Sequence, residues 1–384
     1  MKTRAADPAA PGSGIAVRAV YAGALLGPLG GGVIAPMLPQ IGRSLHVSSG
    51  AVAAAITAYF VPFALVQLVS GTLGERWGRR RTVRIGYLVY AAGAVACAAA
   101  PSLAVLLVAR AAMGAANAFT GPLLVAGLAD LVSRERLSRS VGVISSWMAA
   151  GQSIAPFVGG LAAAASWRIG FLIVAAVAGL LSLAPPPGGP RPGVVAPSWR
   201  SLLGRDMGLL AGGAFVSYLG AAALPFMVAL YLNDSLHAGP DLTGAALLGF
   251  GVAGLLLGPA WGRLNQRFGA RTCGAVAAVV AAVFVGSVGL TGSAWSLALC
   301  WTAAGAAASM LTVALQNLTV RAVPGNRGGA LSAVSAFRFA GAALAPIIWL
   351  PLYHGAPAPA FAAAGASVLL AIPVLAVVGG HDRA

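Results

Sequence analysis

Long apolar stretches follow one another along the whole chain, broken only by clusters of Gly, Pro and Arg. That pattern decides the fold class before any motif is considered. A helix that crosses the hydrocarbon core of a bilayer needs about 20 consecutive apolar residues. A chain of 384 residues with short loops has room for about a dozen. Charged residues make up only 8% of the chain, against about a quarter in a soluble protein. Too few charges are present to cover a water-facing surface of this size. A membrane β-barrel is excluded, because its strands alternate polar and apolar residues, whereas the runs here are unbroken. The sequence predicts an all-α membrane protein.

Twelve helices are expected near 16–41, 50–73, 83–100, 103–130, 138–163, 167–184, 207–232, 241–262, 271–290, 294–322, 328–353 and 357–379. Residues 185–206, PPPGGPRPGVVAPSWRSLLGRD, stand apart. Pro cannot continue a helix, and this is the longest interior stretch without apolar character. It reads as a cytosolic linker between a first six-helix bundle, 1–184, and a second, 207–384. Charge supports the division, since cytosolic loops collect Lys and Arg. With the N-terminus in the cytosol, 20 of the 24 Lys and Arg residues fall on that side. Only Arg43 and Arg168 fall outside, and Arg110 and Arg338 lie within helices. Both termini are therefore expected in the cytosol of a multi-pass protein of a cell membrane, read as a bacterial inner membrane. The first apolar run is too long for a cleaved signal peptide, and eleven more follow it.

Several function classes drop out. The net charge of +16 lies in loops beside the membrane rather than on an aromatic-studded basic face, so no nucleic-acid partner is expected. The lipid bilayer is the expected neighbour. Cys97, Cys273 and Cys300 sit inside apolar runs with no C-x-x-C, which supports neither disulfides nor zinc. The four histidines fall in loops or near helix ends, and no Ser/His/Asp arrangement or strand-linked phosphate loop is present. No metal, cofactor or enzymatic activity is expected. An enzyme acting on lipid-linked substrates would need surface carboxylates or histidines in a cluster, and none is found.

The two halves repeat. Gly71-Thr-Leu-Gly-Glu-Arg-Trp-Gly-Arg-Arg80 aligns with Gly262-Arg-Leu-Asn-Gln-Arg-Phe-Gly-Ala-Arg271 at an offset of 191, with five of ten positions identical. Near the same offset, Arg110-Ala-Ala-Met-Gly114 falls on Trp301-Thr-Ala-Ala-Gly305, and Gly151-Gln-Ser-Ile-Ala-Pro156 falls on Gly341-Ala-Ala-Leu-Ala-Pro346. One register held across three helices identifies a duplicated bundle.

On these residues the chain resembles the major facilitator superfamily over essentially its whole length. The loop after the second helix is similar to the signature G-x-L-x-D-R-x-G-R-R, with Glu75 in place of Asp. Arg110 with Gly114 is similar to the fourth-helix motif. Gly151, Ala155, Pro156, Gly159 and Gly160 are similar to the antiporter motif of the fifth helix, with Ala155 where Gly is usual. Trp167-Arg168, Phe171 and the Ala35-Pro36-x-x-Pro39 run are similar to the twelve-helix drug:proton antiporter branch. The resemblance implies two pseudo-symmetric bundles that rock about a midplane site. It implies secondary transport of a small-molecule substrate, export rather than uptake, and protons as the coupling ion. Uncoupled or uptake transport, and a non-transporting sensor of the same fold, are the alternatives.

Three residue sets carry the expected function. Gly71, Glu75, Arg76, Gly78, Arg79, Arg80 and Asp130 form a basic, glycine-punctuated cluster at the cytosolic surface. It reads either as headgroup anchorage or as a charge latch that opens as the halves rock. Arg110, Gly114, Asn117 and Gly121 share one helical face, as do Thr302, Gly305, Ser309, Thr312 and Gln316 on the repeat-related helix. Matched polar faces suit a shared substrate cavity, although small and hydroxyl residues also serve simply to pack helices. Gly151, Ala155 and Gly159 form a small-residue stripe, which with Pro156 and Gly160 makes a close-packed seam. Arg110 lies about 10 Å deep and Arg338 near the midplane, at 1.5 Å per residue. All eight acids lie in loops, tails or helix ends, so no central carboxylate is available to attract a cation. A neutral or anionic amphiphile is the expected substrate, with Arg110 or Arg338 as its electrostatic contact. Otherwise the two arginines bond backbone carbonyls and brace helices.

Overall fold

Proline decides where the apolar runs stay straight and where they break. In the computed structural model, which describes residues 13–190, 204–322 and 327–378, every apolar run is helical. The first run is α1 (Ser13–Gly32), a 3-10 turn at Ala35–Met37 and α2 (Leu38–Leu45). Pro36 lacks the N–H that would bond the Gly32 carbonyl, and α1 ends there with the carbonyls of its last turn short of helical partners. The second and third runs are α3 (Ser49–Trp77) and α4 (Arg79–Ala99). The fourth divides before Pro122 into α5 (Leu103–Asn117) and α6 (Thr120–Leu131). Next come α7 (Arg134–Ala165) and α8 (Trp167–Ser182). The second half opens with α9 (Arg205–Ser217), a π turn at Tyr218–Ala222 and α10 (Pro225–Asp234). It continues through α11 (Pro240–Phe268), α12 (Ala270–Val288), α13 (Ala294–Ala322) and α14 (Arg327–Gly355). The last run divides into α15 (Pro357–Val368) and α16 (Ala371–Val377) before and around Pro373.

Eleven of these stretches are long and apolar enough to cross a membrane, and α8 is a shorter apolar helix of 16 residues. At 1.5 Å per residue α8 spans about 24 Å, so it needs a locally thinner bilayer or polar ends that reach outward. Arg168 at its start suits that role, donating from Nη1 to the Ala98 carbonyl at 2.6 Å. Helix α9 begins at Arg205, so the last two residues of the expected linker are helical. Asp206 in its first turn complements the positive end of the helix dipole. Most of the linker, 191–203, lies outside the described residues, as do the charged termini.

The repeat is deeper in the fold than in the sequence. Gly78 and Gly269, offset by 191, both take positive φ (95° and 85°) where the chain reverses between helices. His46 and His237, again 191 apart, are the only non-glycine residues with positive φ among those described, at 55° and 50°. A Cβ on Gly114 would sit 1.9 Å from the Tyr59 carbonyl oxygen, and one on Gly305 2.3 Å from that of Phe250. Tyr59 and Phe250 are also 191 apart. The crossings of α3 with α5 and of α11 with α13 are therefore the same glycine-dependent close approach.

Candidate functional site

Arg110 is fully buried in the first half. Its Nη1 donates to the Gly30 carbonyl at 2.7 Å and its Nη2 to that of Gly31 at 3.3 Å, while Nε donates to Ala55 at 3.3 Å. Gly30 and Gly31 lie in the last turn of α1, where the end of the helix leaves carbonyls without helical donors. The cation also meets the negative end of that helix. Its guanidinium carbon lies 4.3 Å from the Tyr59 ring centroid. The Tyr59 hydroxyl in turn donates to Gly27 at 3.3 Å and shares a 3.1 Å bond with Tyr90. Asn117 is buried against Gly27 and accepts from Thr120. In the second half the equivalent stack is Trp301 on Phe250, with centroids 4.5 Å apart. Arg110 thus occupies the place of a buried tryptophan, and its donors are taken up by backbone carbonyls of α1 and α3. Gly114 lets α3 approach, and Gly121 faces open space.

The polar face of α13 is turned largely onto α11. A Cβ on Gly249 would meet Thr302 Oγ1 at 2.0 Å, and Gly305 lies against the Phe250 backbone. Ser309 accepts from Trp261 Nε1 at 2.9 Å. Thr302 and Thr312 donate to the Ala298 and Ala308 carbonyls of their own helix. Gln316 is exposed. Thr302, Gly305 and Ser309 thus meet α11.

Arg338 differs from Arg110. It is half-buried in α14, and its Nε is buried without an acceptor. Its guanidinium carbon lies 4.9 Å from the Tyr218 ring centroid and 4.8 Å from that of Phe339. Phe339 reaches across to the first half, stacking on Phe60 (5.7 Å, 10°) and meeting Phe63 edge-on (4.5 Å, 81°). The aromatic members of this group were not anticipated from the sequence. Their only trace there is the three-residue spacing of Phe60 and Phe63 and the adjacency of Arg338 and Phe339.

At the arginine-rich end, Arg79 is buried between two acids. Its Nε and Nη2 contact Glu75 Oε1 at 2.7 and 2.6 Å, and its Nη1 contacts Asp130 Oδ2 at 2.7 Å. Arg76 lies at the exposed surface. Gly78, with its positive φ, turns the chain so that Arg79 points inward. The start of the linker completes the cluster, with the Pro187 carbonyl accepting from Arg79 and the Gly188 carbonyl from the Arg80 amide. Gly71 packs near Pro122. These contacts tie α3, α4, α6 and the linker within the first half. The repeat carries Ala270 and Gln266 where the first half has Arg79 and Glu75, so no matching charge cluster forms there. Arg271 instead donates to the Val378 carbonyl, a residue 191 beyond Pro187.

The small-residue seam has two sides. Gly151 and Gly159 abut the Leu25 and Val33 carbonyls, and Ala155 lies beside Gly32, all in the first half. Gly160 and the Pro156 carbonyl press on Gly244 and Pro240 of the second. Further inter-half contacts are Gly251 on Ser153, Gly50 on His354, and Thr57 Oγ1 donating to the Ala343 carbonyl at 2.6 Å. These contacts, with the Phe339 group, lie at mid-membrane or toward the end away from the arginines. The two halves meet along that side.

The sequence profile of the Major Facilitator Superfamily matches residues 20–205 and 210–383. An uncharacterized transporter of this type from Bacillus subtilis, YceJ, is 25% identical over 247 residues, covering 62% of this chain and 63% of that protein. The Mycobacterium tuberculosis drug efflux pump JefA is 33% identical over 153 residues, covering 38% of this chain and 30% of the pump. The chain thus aligns with less than two thirds of the length of these relatives. Two solved structures share the fold at 18% identity. One is a bacterial homolog of the human lysosomal transporter Spinster in an inward-facing, unoccupied conformation, with a TM-score of 0.68 and 96% of each chain covered. The other is the human organic anion transporter MFSD10, with a TM-score of 0.69, 95% of this chain and 100% of that one.

Proposed function

Given that this chain belongs to the major facilitator superfamily, we propose that it is a secondary active exporter of small amphiphilic molecules, neutral or anionic, driven by proton exchange. The halves, with units at 1–184 and 207–384 joined by 185–206, rock about the group formed by Arg338, Tyr218, Phe339, Phe60 and Phe63. The arginine-rich end faces the cytosol of a bacterial inner membrane, with both termini on that side. The contacts between the halves toward the opposite end suit loading of substrate from inside.

The observation that carries this reading is Arg338. A cation inside a membrane costs at least about 2.5 kcal/mol by insertion scales, yet no acid or carbonyl offsets it among the described residues. Glu75 and Asp130 are both engaged by Arg79 at the membrane surface. A site with a lone cation and no carboxylate repels cationic substrates and accepts neutral or anionic ones. Export is supported by the fifth-helix seam and by the efflux activity named for JefA. The anion preference accords with the name of MFSD10. The cluster around Arg79 acts as the charge latch of the cytosolic face, its ties to Glu75, Asp130 and the linker opening as the halves rock. Inside-out vesicles test the reading. Substrate accumulation should require an imposed proton gradient and cease when the gradient is collapsed. Accumulation indifferent to the gradient refutes the coupling.

A further inference from the structure

We propose that Arg338, Tyr218 and Phe339 form a subsite for a flat, conjugated carboxylate monoanion, with Phe60 and Phe63 supplying the apolar wall from the first half. The inference deepens the transport reading and rests on it for the subsite's use, though not for its binding chemistry. The arginines drawn into the bundle provide the contrast. Arg79 contacts two carboxylates. Arg110 donates to three carbonyls. Arg168 donates to Ala98 and Ala100, and Arg271 to Val378. Arg338 has no hydrogen bond or ion pair among the described residues, and its Nε is buried without an acceptor. Buried donors are almost always satisfied, and one that is not calls for an explanation. A ligand acceptor is the explanation that also suits the surroundings.

The shape of the acceptor follows from the guanidinium. Nε–H and the neighbouring Nη–H point the same way and match the two oxygens of a carboxylate. Tyr218 and Phe339 lie against the group at 4.9 and 4.8 Å, and neither accepts a hydrogen bond from it. One cation and no second basic side chain in the group set the ligand's charge at minus one. The rest of the lining is aromatic. Phe339 stands 6.0 Å from Tyr218, 5.7 Å from Phe60 and 4.5 Å from Phe63. Rings prefer offset or edge-to-face partners at such separations, so a planar conjugated body finds partners that an aliphatic chain does not. Because Phe339 touches the first half, a ligand held by Arg338 sits where the two halves meet.

The test is equilibrium binding to the purified full chain in lipid nanodiscs, without any gradient, using 2-naphthoate, the uncharged 2-naphthamide and 2-naphthyl-trimethylammonium. Wild type should bind naphthoate at least tenfold more tightly than the amide, and the quaternary cation most weakly. Arg338→Gln should remove the preference so that acid and amide bind alike. Arg338→Lys keeps the charge but loses the paired donors, and should retain a reduced preference. It also serves if the Gln variant does not fold. Tyr218→Leu should weaken acid and amide together. Equal binding of acid and amide to wild type, binding of neither, tightest binding of the cation, or an undiminished preference in Arg338→Gln would each overturn the proposal. A chain that binds as expected but exchanges nothing across a membrane would refute the transport reading and leave the subsite standing.

Discussion

Replacing Arg110 by Met keeps most of the side-chain volume and removes every donor, so the loss reads the bracing role directly. The charge-assisted bond to Gly30 contributes about 1.5–3 kcal/mol. The two longer bonds contribute about 0.6 kcal/mol each, the mean for interhelical hydrogen bonds in a membrane. Stacking on Tyr59 adds about 0.5–2 kcal/mol. Such terms are not strictly additive, but together they place the cost near 4 kcal/mol, close to a thousandfold in the folding equilibrium. Arg338→Met is the contrast. It removes two ring stacks, worth about 0.5–2 kcal/mol each, together with an intramembrane cation that costs at least about 2.5 kcal/mol, so it should leave stability close to unchanged. Chemical unfolding of the purified variants in identical micelles compares the two. Arg110→Met as stable as wild type, or Arg338→Met as damaged as Arg110→Met, would refute the division of the two arginines into brace and ligand contact.

Other predictions follow from the repeat and the charge cluster. Gly114→Ala and Gly305→Ala should each cost about 1–3 kcal/mol, as overpacking does, and by similar amounts, since each drives a Cβ into a backbone carbonyl; unfolding midpoints check this. Asp130→Asn should impair transport while membrane insertion and the folded yield persist, because Arg79 keeps Glu75; full transport activity would reduce the cluster to a topology signal. A single cysteine at Gly189, with Cys97, Cys273 and Cys300 replaced by Ser, should be labelled by an impermeant thiol reagent only in inside-out vesicles; labelling from outside intact cells would reverse the orientation.

The sequence carried the helices, the duplication and the Arg79 motif, because apolar length, a fixed offset and glycine spacing are one-dimensional signals. Arg110 and Arg338 look alike in sequence, each a lone cation in an apolar run. What separates them is three-dimensional. The end of α1 at Gly32 leaves carbonyls at Gly30 and Gly31 for Arg110, whereas no carbonyl among the described residues accepts from Arg338. The hydroxyl face of α13 is equally ambiguous in sequence, since the same small polar residues suit a cavity or a tight crossing, and the contacts of Thr302, Gly305 and Ser309 with α11 are visible only in three dimensions. The basic run after α3 reads as headgroup contact until the positive φ of Gly78 turns Arg79 inward. The breaks at Pro122, Pro225 and Pro373 were not anticipated, because Pro28, Pro62 and Pro156 lie inside helices that continue.

The central claim is that this chain exchanges neutral or anionic amphiphiles across a membrane through a site with one cation and no acid. Counterflow in proteoliposomes, against a panel of neutral, anionic and permanently cationic compounds, tests it most directly. Wild-type protein should exchange the anionic and neutral members and exclude the cations, and Arg338→Gln should lose the advantage of the anions, exchanging them no faster than the neutral compounds. Preferred exchange of permanent cations, or no counterflow with any member of the panel, would contradict the account.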